Sequence, residues 1–176
     1  MSSLATYDPT QVMVILDWED EDGGAMSHVI TGVSEGQIVS VARQEAWGES
    51  VGSYGNTTRI YNPVWDKANI TIPLQQTSES NDVLNYLFTR DINSISSDYL
   101  FSITVKDNSG RSLHYGYEAY VAVKPDAVYG SAMENREWMV RVNKLEDILG
   151  GNSKVDAALV DEVQSLGGTI PARWVR

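Results

Sequence analysis

Across most of its length the chain alternates apolar and polar residues with a period of two, a pattern that fits strands with one buried face and not amphipathic helices. Phe101, Ile103 and Val105 alternate with Ser102 and Thr104. Asp107-Asn108-Ser109-Gly110 then supplies a turn, and Leu113, Tyr115, Tyr117, Ala119, Val121 and Val123 continue the alternation. This predicts one long hairpin over Leu100 to Val123, with those residues on a single buried face. Ile70, Ile72 and Leu74 predict a strand over Lys67 to Gln75, and Trp138, Val140 and Val142 predict a closing strand over Glu137 to Leu145. Val12 to Leu16 is apolar at every position, which suits a strand covered on both sides. Weaker strands are expected at Ser27 to Val33 and Gln37 to Arg43.

Two segments read as helix. Ser78 can cap one in which Val83, Leu84, Leu87 and Phe88 share a side, with Asp82 near the positive end of the dipole. A second opens on the capping box Ser153-Lys154-Val155-Asp156, places Val155, Leu159, Val163 and Leu166 on one stripe, and stops at Gly167-Gly168. Gly150-Gly151-Asn152 before it reads as a hinge. The expected fold class is mainly β, with one helix covering a sheet in a domain over residues 1–150, and a separable helical extension over 151–176.

Composition excludes several function classes. A chain of 176 residues with 42% apolar content can bury roughly two-thirds of its unfolded surface in one core. Its net charge is −11, and no stretch clusters Lys and Arg as phosphate neutralisation requires, so tight nucleic-acid binding is not expected. With no cysteine there is no disulfide framework and no thiolate metal site. Met1 to Thr10 has neither the basic nor the apolar region of a signal peptide, and the apolar runs are far below the ~20 residues that span a bilayer. These features predict a soluble chain kept in the cytoplasm, with no membrane partner.

No constellation of residues makes an active site. Gly32-Val33-Ser34-Glu35-Gly36 matches the G-x-S-x-G nucleophile elbow, but the residues that follow read as strand and the only downstream histidine, His114, sits mid-strand. The motif is read as a turn. Asp17-Trp18-Glu19-Asp20-Glu21-Asp22-Gly23 brushes the calcium-loop pattern, yet Trp18 stands where the first ligand belongs and Val29 where the bidentate Glu belongs. His28 and His114 have no metal-ligand partner at useful spacing. No enzyme, cofactor or metal is expected.

Two features do ask for a role. Ala46 to Pro63 is glycine-rich yet carries Trp47, Tyr54 and Tyr61, rings that either tuck onto their own domain or dock on a neighbouring subunit. Charge is also lopsided: residues 1–42 hold Asp8, Asp17, Glu19, Asp20, Glu21, Asp22 and Glu35 and no Lys or Arg.

The order of parts then resembles a known family. A run of strands, a glycine- and aromatic-containing excursion, the strand Lys67 to Gln75 and the helix Ser78 to Arg90 come first. The hairpin Leu100 to Val123 and the strand Glu137 to Leu145 complete a chain similar to the tail tube proteins of contractile-tailed bacteriophages, a resemblance that implies two packed antiparallel sheets, sandwich- or barrel-like and flanked by a helix, as in the type VI secretion tube. The polar-capped helix Thr77-Ser78-Glu79-Ser80-Asn81-Asp82-Val83-Leu84-Asn85-Tyr86-Leu87 carries the likeness best, and the whole resemblance covers Val12 to Gly150. It implies a structural virion protein whose six-fold rings stack into the inner tail tube that phage DNA passes through without being bound. Sheath, tape-measure, baseplate and tail-terminator proteins would be its partners, and assembly would take place in the host cytoplasm. On this resemblance Trp47, Tyr54 and Tyr61 contact an adjacent subunit, and Asp17, Glu19, Asp20, Glu21, Asp22 and Glu118 are candidates for an acidic bore. Another virion or baseplate β-protein, or a carbohydrate-binding β-sandwich stacking sugars on exposed rings, are the alternatives.

Overall fold

The computed structural model describes residues 6–94 and 96–176; the reading of Met1 to Thr10 falls in part on residues 1–5, outside that range. Its strands are β1 (Val12–Glu19), β2 (Ala25–Val29), β3 (Ser40–Arg43), β4 (Trp47–Val51), β5 (Thr57–Tyr61), β6 (Ala68–Gln75), β7 (Phe101–Asp107), β8 (Leu113–Val123) and β9 (Asn135–Ile148). The helices are α1 (Ser80–Ser94) and α2 (Ala157–Ser165). Each expected strand is present, and β4 and β5 organise what reads in sequence as an irregular excursion.

Seven strands form one sheet in the order β2-β1-β7-β8-β9-β6-β3, and β4 pairs with β5 alone. Every pairing between these strands is antiparallel. The chain is thus mainly β and antiparallel, as expected, but the two-stranded sheet stands exposed and does not pack face to face against the seven-stranded one. The large sheet curls without closing into a barrel. Its seam is crossed by the segment after β2: Ile30 N–H donates to Val14 O of β1, while Gln75 N–H of β6 donates to Gly32 O and Ser34 N–H donates to Pro73 O. Three residues therefore bind both flanks of the seam.

The concave face holds the core. Val14 and Leu16, Ile70, Ile72 and Leu74, Phe101, Ile103 and Val105, and Trp138, Val140 and Val142 are all buried there, as the alternation requires. Helix α1 covers this face with Leu84 and Leu87, each burial contributing ~1.5–3 kcal/mol. Its entry is fixed by hydrogen bonds: Ser78 Oγ accepts from Ser80 N–H at 3.2 Å, as expected of a cap, and donates to Thr31 O at 2.6 Å. Asn81 is buried and satisfied, its Oδ1 accepting from Trp138 Nε1 at 2.9 Å and its Nδ2 donating to Gln75 O.

The β8 reading needs correction. Gly116, Ala119 and Val121 are buried, whereas Leu113, Tyr117 and Val123 are exposed, so the strand changes face in its middle. A bulge is the cause: Phe101 pairs with Ala119 but Ile103 pairs with Gly116, leaving Tyr117 and Glu118 opposite Ser102 alone. β1 also differs from its reading. Val14 and Leu16 are buried, but Met13 and Ile15 on the other face are only half-covered.

The C-terminal helix starts later than its capping box suggests. Asp156, not Ser153, caps it, with Oδ1 accepting from Leu159 N–H at 3.0 Å. It stops where expected: Gly167 has φ 83° and Gly168 N–H closes on Val163 O. The residues read as a hinge are instead held down. Ser112 Oγ donates to Gly150 O, Asn152 Nδ2 donates to Asp107 Oδ2, and Arg111 binds the Ser153 carbonyl. Gly150 serves close approach, since a Cβ there would lie 2.6 Å from Arg111 Cβ.

Candidate functional site

Neither chemical motif of the sequence survives as a site. Gly32 and Gly36 take φ of 65° and 99°, and a Cβ on Gly32 would lie 2.6 Å from Ser78 Cβ. Ser34 between them is buried, its N–H donates to Pro73 O and Val33 bridges Leu74, so the motif is an extended crossing onto β6 and not the turn its sequence suggests. His28 Nε2 meets Ser80 Oγ at 2.9 Å, and His114 Nδ1 lies 3.4 Å from Asp147 Oδ2. Among the described residues no group of three or more His, Cys, Asp or Glu could hold a metal ion, and no helix is long and apolar enough to cross a membrane.

The three predicted contact residues lie on one projecting arm. β4 and β5 pair from Trp47 opposite Tyr61 to Val51 opposite Thr57, and a Gly52-to-Asn56 turn with Gly55 at φ 82° closes the tip. Every residue from Trp47 to Tyr61 is exposed. Trp47 and Tyr61 meet at the base with ring centroids 5.3 Å apart, Arg59 covers Trp47 at 3.8 Å, and Trp65 Nε1 donates to Tyr61 OH at 2.9 Å. Tyr54, at the tip, is 98% exposed. The arm also exposes Val51 and Ile60, which the aromatic pattern does not single out. Trp47 and Tyr61 thus stiffen the arm's root while Tyr54 presents its end.

The acidic candidates divide into two groups. Asp17 pairs with Ser27 on one side and Ser102 on the other, and alternates with buried Leu16, so it stands on the convex face. Glu118 lies opposite Ser102 in the β8 bulge, two strands and about 10 Å from Asp17, and accepts from Asn143 Nδ2. These two share a face and a level. Glu19, Asp20, Glu21 and Asp22 instead occupy the β1–β2 turn. Asp20 Oδ1 builds that turn by accepting from the N–H groups of Asp22 and Gly24, and Glu21 faces a groove beside Tyr86, Arg90 and Tyr99 of the helical side.

The pieces define a class: an open, curled antiparallel sheet with unpaired edges and a solvent-exposed aromatic arm, and no catalytic grouping among the described residues. No family model matches the sequence. The chain is 40% identical over 172 residues to structural protein ORF10 of Pseudomonas phage KPP10, covering 97% of each, and it belongs to that family of phage structural proteins. Solved structures sharing part of its backbone course include the PVC sheath–tube complex of an extracellular contractile injection system, in its extended state. That overlap has a TM-score of 0.48 and 15% identity over 81% of this chain and 91% of the other. The anti-feeding prophage tube-terminating cap gives 0.46 and 10% over 84% and 94%.

Proposed function

We propose that this chain is the tube subunit of a contractile phage tail, forming six-fold rings that stack into the conduit for DNA. The arm carries the reading. An exposed hairpin bearing Trp47, Val51, Tyr54, Ile60 and Tyr61 has nothing to cover within its own subunit, and apolar surface of that kind marks an interaction site. The relative named a structural phage protein, at 40% identity, supports a role in the virion. Open sheet edges support lateral joining of copies, because unpaired strand edges invite pairing.

Within such a ring the convex face turns to the bore, and Asp17 and Glu118 repel the phosphates of passing DNA. Tail sheath, tape-measure, baseplate and terminator proteins are the partners that follow from this role, with assembly completed in the host cytoplasm. The test is negative-stain microscopy of the purified chain across a concentration series. Rings or tubes are expected; monodisperse particles of single-subunit size at every concentration would reject the reading.

A further inference from the structure

The sheet has two ends of opposite charge. Four antiparallel pairings separate β1 from β6 in the strand order, so these two strands run in the same direction. The β1–β2 turn follows the C-terminal end of β1. Lys67 precedes the N-terminal end of β6, and Arg43 and Arg141 pair with Ala68 and Asn69 beside it. The two regions therefore lie at opposite ends of the sheet.

At the β6 end a groove of about 460 Å³ is lined by Arg43, Lys67 and Arg141 with Gln44, Asn69 and Tyr120, and no carboxylate lines it. This is unexpected in a chain of net charge −11. Arg43 is already engaged within the subunit, its Nη2 donating to Leu145 O and Asp147 and its guanidinium lying 4.8 Å from the Trp65 ring, so the free charge of the groove is that of Lys67 and Arg141. The Arg141 guanidinium makes one hydrogen bond, to Asn69 Oδ1 at 3.2 Å, and neither it nor Lys67 has an ion pair among the described residues. At the other end Glu19, Glu21 and Asp22 are exposed, and none of them forms an ion pair among the described residues.

From this complementarity we infer that the acidic β1–β2 turn of one copy docks into the groove of the next against Lys67 and Arg141, head to tail. The occupant is a second copy of this chain, because the chain itself carries the matching charge at the opposite end. A contact between two different patches of one subunit does not close on itself as a two-fold contact does; it propagates copy after copy along an axis. The inference rests on the ring-forming reading and adds the joint between rings. It also covers Arg141, a cation on the same convex face as Asp17, which would otherwise sit in the path of DNA.

The test reverses each end separately. The variant Lys67→Glu/Arg141→Glu and the variant Glu19→Lys/Glu21→Lys/Asp22→Lys leave Arg43 and the turn-building Asp20 intact. Each alone should give rings whose stacks are several-fold shorter than wild type, and the chain carrying both sets should regain long stacks. Wild-type stacks should also shorten as salt is raised, a readout independent of any variant's folding. Wild-type stack length in both reversals, or stacks insensitive to salt, would overturn the inference while leaving rings intact. Absence of rings from the wild-type chain would overturn the ring reading itself. Normal stacking of Lys67→Glu/Arg141→Glu together with lost retention of a DNA oligonucleotide would assign the groove to nucleic acid and overturn the docking.

Discussion

Glu118 holds φ 49°, the one non-glycine residue with positive φ among those described, and this is where the sequence reading of β8 fails. Gly116, a lone glycine in mid-strand, is the one bulge signal in Tyr115-Gly116-Tyr117-Glu118, and an alternation counted on the apolar residues alone passes over it. The bulge turns Tyr115 and Tyr117 outward, where their rings meet edge to face at 4.5 Å, and brings Gly116 inward. A Cβ on Gly116 would lie 2.8 Å from Ile103 and Val142 side chains, which is why a glycine stands there. At Asp107 a different balance holds. Burial pushes its carboxyl upward, but Ser109 and Asn152 hydrogen bonds outweigh that and leave it below its ordinary value. A carboxylate depressed on folding stabilises the folded state fully above the ordinary value of 3.8, and the contribution fades as pH falls below it. Asp107→Asn should therefore cost ~1–2 kcal/mol at neutral pH by denaturant unfolding and less in acid. An equal cost at neutral pH and in strong acid would show that charge plays no part.

At the scale of elements, strands and the first helix are legible in the sequence because each has a periodic face set against a core. The arm is legible only in its composition. With no buried face it has no alternation to read, and its rings say that something is covered without saying what. Replacing Trp47 and Tyr54 by Ser should leave the seven-stranded core's circular dichroism and unfolding midpoint little changed, since neither ring reaches that core, yet abolish tube formation. Normal tubes from this variant would remove the arm from assembly. The root of the C-terminal extension misleads because close approach, like flexibility, calls for glycine, and Gly150 serves the former. Beyond that root, α2 buries no residue, and Val155 pairs with Val175 of the same extension outside the main core. A chain ending at Asn152 keeps the Asp107 bonds and should fold and assemble with a melting temperature within a few degrees of wild type. Loss of strand signal in that truncation would make the extension part of the core.

For the whole molecule, the order of elements leads to phage structural proteins, and the chain's 40% identity to one of them places it in that family. The faces of the acidic candidates cannot be read from alternation alone, because a period of two separates two faces without naming their surroundings. The structure divides them between a convex face and a sheet end, and in the proposed tube the two groups serve different contacts. A cryo-EM reconstruction of the assembled chain tests the tube most directly. Stacked rings are expected, with the seven-stranded sheet forming the wall, Asp17 and Glu118 facing the bore, and each arm seated on a neighbouring subunit. A reconstruction with Asp17 and Glu118 on the outer surface and the arms free in solvent would contradict it.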